Sequence, residues 1–163
     1  MLRYLDTEIV YKEVPGNVTL SYMITGCPNG CKNCHWNGVN YFSEGSQLSW
    51  DNVKKDIEKN KYLITCVLFF GGEWEINILK DILFKIKFHF PHLSTCLYTG
   101  KEFDHFSKED IKDLDFIKVG EYIESKGGLE SKETNQRFIS LSDGSDLTLL
   151  FRKNRRMDER KGS

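Results

Sequence analysis

Residues 66–73 read Cys66-Val67-Leu68-Phe69-Phe70-Gly71-Gly72-Glu73. Five apolar residues in a row, stopped by two glycines, suit a strand buried on both faces, as the strands of parallel sheets are. Downstream, Ile76, Leu79, Leu83, Ile86 and Phe90 recur at spacings of three and four, which predicts a helix ended by Pro91. Thr95–Tyr98 then reads as a strand stopped at Gly100. Ser107 is placed to cap a short helix over Lys108–Leu114, and Phe116–Val119 makes a further strand. Upstream, Val18–Thr25 reads as the first core strand, ending at Gly26. Ser49 is placed to cap a helix running to about Lys59, with Val53 and Ile57 on its inner face. Strands alternating with helices predict an α/β fold with βαβ units and a mostly parallel sheet.

The flanks have a different character. Glu8–Lys12 alternates and reads as a short edge strand, closed by a turn at Pro15-Gly16-Asn17. Arg137–Leu141 and Leu147–Phe151 flank Asp143-Gly144, which predicts a C-terminal β-hairpin. Residues 152–163 form a tail with six basic and two acidic side chains, expected to be disordered. No internal repeat is visible, so one domain is expected over residues 1–151.

Length and composition bound the function. A chain of 163 residues, 39% hydrophobic, supplies one packed core. No stretch approaches the ~18 consecutive apolar residues of a membrane span. The start, Met1-Leu2-Arg3-Tyr4-Leu5-Asp6, lacks the apolar run of a signal peptide, so a cytoplasmic protein without membrane partners is expected. Lysine and arginine total 23 against 24 aspartates and glutamates, a net charge of −1, which speaks against a nucleic-acid partner. With 3 prolines and no low-complexity tract, general disorder is not expected.

The five cysteines carry the chemistry. An odd number in a chain without an export signal points away from a disulfide framework and towards metal binding or catalysis. Cys27, Cys31 and Cys34 fall within eight residues with C-x3-C-x2-C spacing, while Cys66 and Cys96 stand alone in predicted strands. Thiolates bind zinc and iron–sulfur clusters. A structural zinc needs a fourth protein ligand, which Cys66 or Cys96 would have to supply, although cysteines in core strands behave as small hydrophobes. Three thiolates on a 4Fe-4S cluster leave one iron open to an outside ligand. A loop just past the carboxyl end of a parallel strand is also where open α/β sheets bind ligands. Gly26 and Gly30 lack a Cβ and let the loop curl around a bulky group. Gly71-Gly72-Glu73 ends the neighbouring strand, where two glycines allow close approach of a ligand.

C-x3-C-x2-C after the first core strand, followed by Gly-Gly-Glu after the second, resembles the radical S-adenosylmethionine superfamily. Glu13-Val14-Pro15-Gly16, Gly26-Cys27-Pro28, Cys34-His35 and Thr134-Asn135-Gln136-Arg137-Phe138 make the likeness closer. Together they resemble the activating proteins of anaerobic (class III) ribonucleotide reductase, over roughly residues 8–151.

The resemblance implies a partial (β/α) barrel with its cofactors at the carboxyl ends of the strands. It implies that Cys27, Cys31 and Cys34 hold three irons of a 4Fe-4S cluster. The fourth iron would take the amino and carboxylate groups of S-adenosyl-L-methionine (SAM), and Gly71, Gly72 and Glu73 would contact the methionine amino group. Asn33 stands where many members of the superfamily carry an aromatic residue. Asn33 and His35, on either side of Cys34, are further candidates for cofactor contact, and Trp36 for shielding the loop. Thr99 with Gly100, and Lys118–Glu121, end two strands whose carboxyl ends would face the ligand in such a barrel.

The implied activity is reductive cleavage of SAM, with hydrogen then abstracted from a glycine of the reductase. The implied partners are that reductase and a flavodoxin or ferredoxin type electron donor. An activase for another glycyl-radical enzyme, of the pyruvate formate-lyase type, is the related alternative. A non-catalytic zinc or thiolate module is the unrelated one.

Overall fold

The computed structural model describes residues 1–26 and 45–152. The buried run at 66–70 forms β4 (Cys66–Phe70), with all five residues buried. It lies between β2 (Thr19–Ile24) and β5 (Ser94–Tyr98), both parallel to it. Next to β5, also parallel, is β6 (Phe116–Val119). The edges run the other way. β1 (Arg3–Val10) pairs antiparallel with β2, the two-residue β3 (Ser46–Gln47) pairs antiparallel with β1, and β7 (Arg137–Ser140) pairs antiparallel with β6. The seven-stranded order is β3-β1-β2-β4-β5-β6-β7. Half of the pairings are parallel, so the sheet is mixed rather than mostly parallel.

Among the described residues, three helices join the parallel strands. α1 (Trp50–Asn60) begins at Ser49, whose hydroxyl accepts the amide of Asn52 at 3.2 Å. α2 (Ile76–His89) follows a single 3-10 turn at Glu73–Glu75. α3 (Lys108–Ile111) is shorter than the sequence predicts, and a reciprocal Ser107–Asp110 capping box opens it.

The two faces of the sheet are covered by different means. Leu20, Tyr22, Val67, Phe69, Leu97 and Ile117 pack against Val53 and Ile57 of α1 and Leu79, Leu83 and Ile86 of α2. The residues between them in sequence point the other way. Cys66, Leu68, Phe70, Cys96 and Phe138 form a smaller core closed by Val14, Leu129, Leu147 and Phe151 from connecting segments. Period-two alternation along buried strands produces this division.

Two expectations at the flanks are corrected. β1 starts at Arg3, five residues before the predicted Glu8, because a bulge interrupts its alternation. The four residues from Tyr4 to Thr7 lie opposite only three, from Ile24 to Tyr22. The second arm of the expected hairpin is not a strand. After one bridge, Ile139 to Asp146, residues 149–152 turn helical. The Asp146 carboxylate takes the amide of Thr148 at 2.9 Å, an N-cap arrangement that starts a helical turn instead of a ladder. Residues 153–163 of the basic tail lie outside the described residues.

Candidate functional site

β2, β4, β5 and β6 deliver their carboxyl ends to one edge of the sheet. Their register brings Met23, Phe70, Tyr98 and Lys118 side by side on the face opposite α1 and α2. Backbone bonds continue just past the strands, from Gly71 N to Tyr98 O and from Thr99 N to Lys118 O, each 2.9 Å. The edge is therefore a continuous platform rather than four loose loops.

Lys118 is 8% exposed, and its ammonium donates to the carbonyls of Thr99 at 3.0 Å and Gly120 at 3.3 Å. It also sits 5.5 Å from the centre of the Tyr98 ring. A buried ammonium needs such partners to offset lost hydration. The lysine thereby ties the ends of β5 and β6 together. The Tyr98 hydroxyl donates to the carbonyl of Glu13, anchoring the segment ahead of β2 to the same region.

At the end of β4 the backbone takes an unusual course. Gly71 and Gly72 have φ of 96° and 111°, a region that side chains disfavour. A Cβ on Gly71 would stand 2.9 Å from the Trp74 ring. The chain then places Glu73 with 4% exposure, and neither carboxylate oxygen has a hydrogen-bond partner among the described residues. Buried polar groups are nearly always paired, so an orphaned carboxylate at a strand end marks a place for a cationic or strongly donating ligand.

The other predicted residues fall as follows. Thr99 lies on the edge, buried, with its hydroxyl oxygen accepting from Lys101 N at 3.0 Å. Asn135 Nδ2 donates to Glu121 O at 2.9 Å, and Gln136 Nε2 to Gly120 O at 3.3 Å, which brings the Asn-Gln-Arg-Phe segment to the end of β6. Cys27, Cys31, Cys34, Asn33 and His35 lie outside the described residues. Among the described residues, no group of three or more His, Cys, Asp or Glu is placed to hold a metal ion.

Cys66 and Cys96 are fully buried. Cys66 opens β4, about 16 Å of strand away from Gly71. Burial pushes its thiol up to about 12 and raises that of Cys96 as well, so both are protonated at neutral pH. Both are packing residues of the smaller core; Cys66 lies at the far end of its strand, and Cys96 lies two residues before Tyr98.

Sequence reasoning missed Tyr98, whose ring carries Lys118 and whose hydroxyl holds the Glu13 segment. An aromatic residue closing a strand immediately before a Thr-Gly turn was the available signal.

These features define an α/β protein whose parallel strands end together at one edge of the sheet, with the buried, unpartnered Glu73 carboxylate just beyond it. The family model described as a 4Fe-4S single cluster domain matches residues 14–140, and the chain belongs to that family. The cofactor of that family is a 4Fe-4S cluster, and the chain is an iron–sulfur protein. Among curated proteins no relative matches the chain. Among the described residues, no helix is long and apolar enough to cross a membrane.

Proposed function

We propose that the protein is a radical SAM activase that installs a glycyl radical on an anaerobic ribonucleotide reductase. Membership in a 4Fe-4S family supports the cluster, and the C-x3-C-x2-C spacing of Cys27, Cys31 and Cys34 supports its attachment at three corners. The observation that carries the reading is Glu73, a buried carboxylate with both oxygens unpartnered, set behind two glycines at the end of β4. The strand beside it, β2, runs directly into the cysteine loop. An ammonium from the methionine end of SAM fits that carboxylate by charge and by donor number.

In this reading the parallel strands β2, β4, β5 and β6, with helices on one face, are the staves of a partial (β/α) barrel. When bound, the cluster supplies the electron that breaks a sulfonium bond of SAM, and the adenosyl fragment takes hydrogen from a glycine of the reductase. The chain's own residues do the positioning. Gly71 and Gly72 admit the ligand to the backbone, Glu73 holds its ammonium, and Lys118 keeps the β5 and β6 ends in register beneath it. A flavodoxin or ferredoxin type protein provides the electron. The reductase completes the wall around the exposed edge and excludes water during the transfer.

The test is anaerobic reconstitution with iron and sulfide, followed by SAM, a strong reductant and purified reductase. About four irons per chain, methionine release and a glycyl doublet in the electron paramagnetic resonance spectrum are expected. One zinc without sulfide, or SAM cleavage without a radical on the reductase, would overturn the cofactor or the substrate respectively.

A further inference from the structure

A second orphan lies on the same edge. Asn135 Oδ1 is buried and has no hydrogen-bond partner among the described residues. Its orientation is not arbitrary, because Nδ2 donates to the carbonyl of Glu121 at 2.9 Å, and a carbonyl accepts only from the nitrogen end. The amide oxygen is therefore the free end. Gly120 makes room for this arrangement, since a Cβ there would stand 3.2 Å from Gln136 Cα and 3.3 Å from Asn135 O. Gln136 Nε2 fixes the same turn through Gly120 O at 3.3 Å.

The two orphans differ in chemistry. Glu73 is a carboxylate and suits a cation. Asn135 offers one neutral acceptor and suits an uncharged N–H or O–H donor. Glu73 follows the end of β4, and Asn135 leads into β7 while bonded to the residue past β6, so two to three strand spacings, about 10–14 Å, separate them. That is the order of distance between the amino group of the methionine part and the exocyclic amine of the adenine in an extended SAM molecule. A molecule with an ammonium at one end and an aromatic amine at the other matches both acceptors at once.

Resting on the radical SAM reading above, we propose that Asn135 is a specificity residue whose Oδ1 accepts the exocyclic amine of the adenine. A 6-oxo purine presents an acceptor at that position instead of a donor, and it leaves the asparagine oxygen unpaired and opposed. Sites built around a buried polar partner discriminate strongly against ligands that lack it.

The experiment measures binding, by equilibrium dialysis, of SAM and of its 6-oxo (inosyl) analogue to the anaerobically reconstituted protein. Unaltered protein is expected to bind SAM at least about tenfold more tightly than the analogue, a ratio equivalent to about 1.4 kcal/mol. In Asn135→Ala, reconstituted to the same iron content, SAM binding falls and the preference disappears. The comparison in unaltered protein needs no variant, so a misfolded Asn135→Ala does not decide the matter. Equal binding of both ligands by unaltered protein, or a preference that survives in Asn135→Ala, overturns the assignment while leaving the radical SAM reading intact. Failure of the reconstituted protein to bind SAM at all overturns both.

Discussion

At the scale of single residues, sequence predicts a site where spacing carries the chemistry and is silent where burial does. Three cysteines in eight positions announce a thiolate site without any knowledge of the fold. Glu73 stands out in sequence only through the two glycines before it. That its carboxylate is buried without a partner follows from the packing of β4 and the turn into α2, which no local pattern encodes. The same holds for Asn135, whose free oxygen is defined by a carbonyl fourteen positions away. A buried, unpaired carboxylate costs stability in the absence of ligand. Glu73→Gln is therefore expected to leave the ligand-free protein as stable or more stable, by up to about 1–3 kcal/mol, while SAM binding falls sharply. Urea unfolding and equilibrium dialysis on one preparation check both halves. A variant that loses stability and keeps SAM affinity would remove Glu73 from the site. Cys66→Ala and Cys96→Ala are expected to keep the full iron content after reconstitution and to cost only packing, about 1–2 kcal/mol each. Loss of iron in the Cys66 variant would reassign the ligands.

At the scale of elements, the core strands and the two long helices could be read because burial repeats with a fixed period. β4, α2 and β6 lie close to their predicted spans for this reason. The misreadings have local causes. A bulge hid the first half of β1, and the Asp146 cap turned an apolar run, Leu147–Phe151, out of the sheet. The glycine turn after β4 offers a graded test. Both glycines have positive φ, but only at Gly71 would a Cβ also press on the Trp74 ring, at 2.9 Å. At Gly72 the nearest atom would be the Leu2 side chain at 3.5 Å, an ordinary contact. Gly72→Ala should then cost about 1 kcal/mol from backbone strain alone, and Gly71→Ala more than that. Thermal unfolding of the two variants would show the order, and equal losses would mean that Trp74 yields freely. At the start of α1, Ser49→Ala removes the acceptor for the Asn52 amide and should cost about 1 kcal/mol without altering SAM binding.

At the scale of the molecule, alternating apolar positions foretell two buried faces, but they do not tell what covers each. Among the described residues, α1 and α2 take one face, and connecting segments with the short helical turn at 149–152 take the other. Both faces bury weak acids. Tyr22 lies fully buried in the larger core, raised by burial and by its bond to Asp56 at 2.8 Å. Cys66 and Cys96 lie in the smaller core, and Tyr98 packs against it, all three raised chiefly by burial. In the unfolded chain these groups ionise near their ordinary values, 9.0 for the thiols and 10.0 for the phenols. Between those values and the raised ones, the unfolded chain binds fewer protons than the folded one, so stability must fall as pH rises. Each group contributes a slope of up to about 1.4 kcal/mol per pH unit once its unfolded form has ionised. Stability should be insensitive to these groups below about pH 8, decline from pH 9 and, for the Cys66 share, continue to fall until about pH 12. Urea midpoints at pH 8, 9 and 10 on ligand-free protein measure the slope. Cys66→Ala, already less stable at pH 8, should show a shallower decline because one of the withheld protons is gone. A midpoint that stays level from pH 8.5 to 10.5 would mean that water reaches these side chains in the folded protein, and the closure of the smaller core by connecting segments would then be wrong.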